Sequence, residues 1–141
     1  MMPRALPGGM KLSYFGIRVT DLDRSLGFYT GLLGLEEVRR GDSRKYGGGI
    51  WILLKDKPSG QHLELNWYPP GSEYAVPYSV GEGVDHISFL VDDVRKTFND
   101  LVAKGATPTR VTPEATDGWT AYVEDPDGIW IEIYTHDTPA P

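Results

Sequence analysis

The sequence predicts an α+β fold of two tandem β-α-β-β-β modules, their strands forming a curved, largely antiparallel half-barrel sheet with the helices outside. Three observations carry this. Tyr14-Phe15-Gly16-Ile17-Arg18-Val19-Thr20-Asp21-Leu22 lies on His86-Ile87-Ser88-Phe89-Leu90-Val91-Asp92-Asp93-Val94 without a gap. Each stretch is followed by a helix-like run. Further along, His62-Leu63-Glu64-Leu65-Asn66 matches Trp130-Ile131-Glu132-Ile133-Tyr134. The repeat therefore pairs position 14 with 86 and position 64 with 132.

Taken in order, residues 11–19 read as a strand, with Phe15, Ile17 and Val19 on one face and Tyr14, Gly16 and Arg18 on the other. Asp21 suits a helix N-cap, Leu22, Leu26, Tyr29 and Leu33 recur at near-helical spacing, and Gly34 suits the stop. Strands are expected from Glu36, over residues 50–54 after a glycine turn, and over residues 62–67, with Pro58 and Gly60 in the hairpin loop between the last two. In the second copy residues 85–91 form a strand. Asp92 or Asp93 caps a helix carrying Val94, Phe98, Leu101 and Val102, and Gly105 ends it. Residues 109–112 suit a short strand. Residues 119–124 and 129–135 flank Asp125-Pro126-Asp127-Gly128, whose proline and glycine positions fit a type I turn. The organisation is a disordered leader (1–9), a first module (10–68), a linker (69–83), a second module (84–135) and a frayed tail (136–141). The linker holds Tyr74 and Tyr78, which suit either an ordered loop over a site or a plain surface connection.

At 141 residues each half alone would be marginal, so the halves are expected to pack on each other or on a second chain. The formal charge of −6 and the lack of a Lys/Arg cluster argue against nucleic acid and an anionic membrane as partners. With no cysteine, disulfides and thiolate metal sites are excluded. No apolar run approaches the ~18 residues of a membrane span, and the N-terminal stretch lacks the apolar run of a signal peptide. A cytoplasmic location is the expectation.

The chemistry centres on Glu64, between Leu63 and Leu65, and Glu132, between Ile131 and Ile133. Period-2 alternation alone would place a polar residue at either position. The two are equivalent under the repeat, and each has amide or aromatic neighbours on its own face: Asn66 for one, Trp130 and Tyr134 for the other. A curved sheet with these faces inward would gather Glu64, His86 and Glu132 into one cavity. Like charges so close are costly, and a bound cation removes the cost. One nitrogen and two oxygens suit Zn²⁺, Ni²⁺, Co²⁺, Mn²⁺ or Fe²⁺, with positions left open. Tyr14 occupies the fourth position, suited to hydrogen-bonding a metal-bound water or lining the cavity. Arg18, on the same face as Tyr14, suits a substrate carboxylate.

Ile17 to Tyr29 followed by Leu33-Gly34-Leu35, Gly83-Val84-Asp85-His86-Ile87-Ser88-Phe89, and Val123-Glu124-Asp125-Pro126-Asp127-Gly128 with Ile131-Glu132 together resemble the vicinal oxygen chelate superfamily, closest to glyoxalase I. That resemblance implies metal ligands at positions 14, 64, 86 and 132, of which Tyr14 departs from the usual His or Gln. It implies a homodimer with sites drawing on both subunits. It also implies metal-assisted proton transfer on a small substrate chelating through neighbouring oxygens, with Glu132 or Glu64 carrying the proton. Asn66 and Trp130 join Arg18 as expected substrate contacts. Two other readings stand beside this lactoylglutathione lyase-like isomerase or lyase. One is a metal-free drug- or antibiotic-binding protein, favoured by Tyr14 and the aromatics; the other is an extradiol-type dioxygenase.

Overall fold

The computed structural model describes residues 13–43 and 48–135. The leader, the tail with His136, and residues 44–47 lie outside them.

Two four-stranded mixed sheets carry the repeat. The first has β1 (Phe15–Arg18), β2 (Glu36–Ser43), β3 (Gly49–Lys55) and β4 (His62–Trp67) in the order β1-β4-β3-β2. The second has β5 (His86–Leu90), β6 (Thr107–Pro108), β7 (Thr120–Glu124) and β8 (Trp130–Tyr134) in the order β5-β8-β7-β6. In each, the first strand runs parallel to the last and the other pairings are antiparallel. Gly16 pairs with Glu64 and Ser88 with Glu132, so the register reproduces the sequence repeat residue for residue.

The faces alternate as the sequence predicts. Ile17, Ile52, Leu54, Leu63 and Leu65 from the first sheet and Val123, Ile131 and Ile133 from the second are buried in one hydrophobic core. The helices cover it. Asp21 caps α1 (Leu22–Leu26), its side chain accepting from the Arg24 N–H at 3.0 Å. Asp93, not Asp92, caps α2 (Val94–Ala103) in the same way. Gly34 and Gly105 close the two helical segments at φ 79° and 106°. The first helix differs from the expected form: after Leu26 it widens into a π-helical turn, Gly27–Leu32, with Leu33 N–H bonding back to Phe28 O at 3.1 Å. That turn carries Tyr29, which is fully buried. The short strand expected at 109–112 forms at Thr107–Pro108 instead. Beyond it the Thr109 amide and hydroxyl both donate to Tyr122 O and the Tyr122 amide donates to Val111 O, so pairing with β7 continues irregularly through the expected segment.

The turn between β7 and β8 joins the modules. Its geometry fits the type I expectation, with Gly128 N–H on Asp125 O at 3.1 Å. Asp125 is buried and accepts from the amides of Asp127 and Ile129 and from the Tyr29 hydroxyl at 2.9 Å. Asp127 accepts from the Thr20 amide and hydroxyl and from the Ser25 hydroxyl. Burial pushes the Asp125 carboxyl up from its ordinary value against these hydrogen bonds, and burial with the nearby Asp125 carboxylate pushes the Tyr29 phenol up as well.

Asp127→Ala is expected to cost about 2 kcal/mol, because three donors on the first module lose their acceptor. Arg24→Ala, which removes an exposed guanidinium 3.8 Å from Asp127, should cost no more than ~0.5 kcal/mol. Denaturant unfolding curves compare the two; equal losses would show that the turn does not brace the modules.

Candidate metal half-site and inner sheet faces

Glu132 lies at the middle of β8 on the face away from the core, beside three strand neighbours with hydroxyls. Ser88 Oγ donates to Oε1 at 2.7 Å, while the Tyr122 hydroxyl and Thr120 Oγ1 donate to Oε2 at 2.8 and 3.1 Å. Burial pushes the Glu132 carboxyl up, but the three hydroxyls and the adjacent His86 outweigh it and hold the group below the usual glutamate value. The raised value that desolvation alone suggests for a proton carrier is therefore not found at Glu132. Tyr122 shows the reciprocal effect: burial first, then its bond to Glu132, push its phenol up to about 12. Ser88, Thr120 and Tyr122 escaped the sequence reading. Strand alternation puts all three on the Glu132 face, but only the cross-strand register brings them to one carboxylate.

His86 begins β5, diagonal to Glu132. Its Nε2 sits 3.6 Å from Glu132 Oε1 and its Nδ1 2.6 Å from Asp85 Oδ1. With the ring proton on Nδ1, donated in a hydrogen bond to Asp85, the Nε2 lone pair faces a carboxylate oxygen with no hydrogen between them. A divalent cation relieves that juxtaposition. Ligand bonds of about 2.0–2.2 Å at a tetrahedral angle place two donors roughly 3.4 Å apart. The pair thus fits half of a divalent-metal site. Tyr122 packs edge-on to His86 and Trp130 lies 5.5 Å beyond it, so the half-site has an aromatic wall.

Glu64 holds the equivalent place in the first sheet but is not brought to this pair. Among the described residues, no group of three or more His, Asp and Glu side chains is placed to hold a metal ion. The expected gathering of Glu64, His86 and Glu132 in one cavity does not occur among the described residues of a single chain. Among the described residues Glu64 has no hydrogen-bond partner. Gly16 stands where Ser88 does and Leu53 where Tyr122 does, so the hydroxyls are missing. Tyr14, just before β1, is half exposed. Asn66 lies opposite Arg18 and Trp51, and its amide reaches Ile17 O at 3.4 Å.

Arg18 is already engaged: Nε donates to Val76 O and Nη2 to Glu82. The segment after β4 is therefore ordered against the first sheet rather than a plain connection. Tyr68 and Tyr74 pack at 5.4 Å within it, and the Tyr78 hydroxyl donates to Val84 O at 2.7 Å. An open groove of ≈ 860 Å³ runs between β1 and β5, lined by Phe15, His62, His86 and Ser88 among others. Phe15 and Leu90 on its two edges are exposed.

The architecture is a pair of β-α-β-β-β modules, each presenting a carboxylate on the sheet face away from the core. The chain belongs to the Glyoxalase/Bleomycin resistance protein/Dioxygenase superfamily, which it matches over residues 11–133. The lactoylglutathione lyase of Haemophilus influenzae is 34% identical over 129 residues, covering 88% of this chain and 91% of its own. A probable lactoylglutathione lyase of Synechocystis is 35% identical over 137 residues, covering 88% and 94%. Among solved structures, the trypanothione-dependent glyoxalase I of Leishmania major superposes with a TM-score of 0.73 at 29% identity, covering 92% of this chain and 89% of that one. The chain is therefore similar to lactoylglutathione lyases over most of its length and theirs. No helix among the described residues is long and apolar enough to cross a membrane.

Ser88→Ala and Tyr122→Phe are each expected to raise the Glu132 pKa, since burial is then less opposed. In the wild type, a lowered folded value gives stability that is present above the unfolded pKa and fades as pH falls through the folded one. Both variants should lose part of that contribution and unfold at higher pH in acid titrations. Carbon NMR of the Glu132 carboxyl reads the shift directly, and an unchanged value in both would remove the hydroxyl cradle as its cause.

Proposed function

We propose that the protein catalyses a metal-dependent glyoxalase reaction, isomerising the hemithioacetal of glutathione and a 2-oxoaldehyde, as a cytoplasmic homodimer. The observation that carries this reading is His86 Nε2 facing Glu132 Oε1 at 3.6 Å inside a hydroxyl cradle, a half-site that wants a cation. Relatives that are lactoylglutathione lyases over most of their length supply the substrate class.

His86 and Glu132 hold a divalent ion from one module. Glu64, with Tyr14 beside the site, completes the set from a second copy, whose first sheet reaches the exposed edge of β5. A divalent ion bound there supplies positive charge that polarises neighbouring substrate oxygens and stabilises the negative charge left when the adjacent carbon loses its proton. A carboxylate takes that proton and returns it to the neighbouring carbon. Glu64 suits this task better than Glu132, because three hydroxyls pin the Glu132 carboxylate while none among the described residues holds Glu64. Trp130, Tyr122 and Asn66 line the inner faces and keep water from the reacting carbons. Arg18 meets a substrate carboxylate only by exchanging Glu82.

Glu64→Gln and Glu132→Gln are each expected to abolish turnover without unfolding the protein. Mixed and refolded together, they should recover about a quarter of wild-type activity: half the dimers are hybrids, and each hybrid owns one intact site. A mixture that stays inactive would place each site within a single chain. Chelator treatment should abolish turnover of the wild type and Ni²⁺, Co²⁺, Zn²⁺ or Mn²⁺ restore it; activity untouched by a chelator rejects the metal-dependent reaction.

A further inference from the structure

The use of His86 as a ligand depends on where one proton sits. A neutral imidazole carries a single N–H, and the nitrogen that carries it cannot bind a cation. Each ring nitrogen faces a carboxylate: Nδ1 lies 2.6 Å from Asp85 Oδ1, and Nε2 lies 3.6 Å from Glu132 Oε1. A proton on Nδ1 is donated to Asp85 and leaves Nε2 open. A proton on Nε2 needs only a closing movement of about 0.7 Å to reach ordinary hydrogen-bond length with Glu132. His86 and Glu132 would then hold each other, and the place between them would be shut.

The other contacts of the ring do not make this choice. Tyr122 stands edge-on to the imidazole, with 5.5 Å between centroids and 80° between planes, so it limits the ring plane without bonding either nitrogen. Its hydroxyl is already given to Glu132 Oε2, and Ser88 Oγ is given to Oε1. Among the described residues, the acceptors brought to the ring are Asp85 and Glu132. Take Asp85 away and Glu132 is the carboxylate left to receive the proton. The Asp85 side chain is 93% exposed, so packing does not account for its position. The repeat points the same way. In the first copy Ser13 stands where Asp85 does and Tyr14 where His86 does, so the acid accompanies the copy that carries the imidazole.

We propose that Asp85 is a positioning residue that keeps the half-site open, holding the His86 proton on Nδ1 so that Nε2 is presented to a divalent cation instead of bonding to Glu132. This deepens the metal-dependent reading and rests on it for the cation. Asp85 acts through His86 and touches neither cation nor substrate, so its loss appears first in the metal-free ring and then in metal affinity.

The test reads both. Nitrogen NMR of the metal-free protein in alkaline buffer reports which ring nitrogen of His86 carries the proton, with His86→Gln identifying its signals. Competition with a chromophoric chelator gives the affinity for Zn²⁺, with Glu132→Gln marking the level of Zn²⁺ bound elsewhere. Asp85→Ala is expected to move the proton from Nδ1 to Nε2 and to weaken Zn²⁺ binding roughly ten- to a hundredfold, with the fold intact. Asp85→Asn loses the charge but its amide oxygen still accepts from Nδ1, so it should keep the tautomer and bind Zn²⁺ about tenfold more tightly than Asp85→Ala. The inference is overturned if Asp85→Ala keeps the proton on Nδ1, if the two variants weaken Zn²⁺ alike, which would leave Asp85 a plain surface charge, or if the wild type takes up no Zn²⁺. Turnover of the hemithioacetal is measured separately. A wild type whose Zn²⁺ affinity depends on Asp85 as described, yet which converts no hemithioacetal, refutes the glyoxalase reading and leaves the role of Asp85 standing.

Discussion

Two carboxylates in one four-residue turn brace this molecule. Asp125 receives the buried Tyr29 hydroxyl, and Asp127 receives Thr20 and Ser25, so the last hairpin of the second module is fastened to the helix entry of the first. Among the described residues these are the side-chain hydrogen bonds that link the two modules directly. The sheets share no strand pairing, and the core between them is apolar and non-directional. Orientation must come from directional bonds, and this turn supplies them. The π-helical turn belongs to the same arrangement: the widened backbone runs through Gly27–Leu32 and carries Tyr29, whose hydroxyl reaches Asp125. Burying Asp125 is costly, and its two amide donors and one hydroxyl offset the cost.

The braced sheets present different inner faces. The second carries a carboxylate held by hydroxyls beside an imidazole; the first carries a carboxylate with no such partners, flanked by arginines and a tryptophan. The two copies have thus kept the same backbone register while their inner faces carry different side chains. The segment after β4 is held to the first sheet through Arg18, which donates to Val76 O and to Glu82.

Much of this was legible in the sequence because the repeat is read twice. The pairing of 14 with 86 and 64 with 132 follows directly into the strand registers, and Asp21, Asp93, Gly34 and Gly105 punctuate the helices through local chemistry that needs no distant partner. What failed depends on distant contacts. The π-helical turn looks like ordinary helix because its amphipathic spacing is nearly the same. The short strand expected at 109–112 is regular only at Thr107–Pro108, since the two bonds from Thr109 to Tyr122 O and the one from Tyr122 to Val111 O make the following pairing irregular. The meeting of Glu64 with His86 and Glu132 was read from face alternation, which says which way a side chain points but not which sheet lies across from it. The hydroxyl cradle was hidden for a similar reason: serine, threonine and tyrosine are unremarkable in a strand until register converges them.

Gly16 carries a longer consequence. It occupies the place that Ser88 holds in the sister copy, and an added Cβ there would come within 3.0 Å of Asn66 Nδ2. A serine placed there would crowd that amide, so Asn66 would have to shift by a few tenths of an ångström before Glu64 could receive the hydroxyl that Glu132 receives from Ser88.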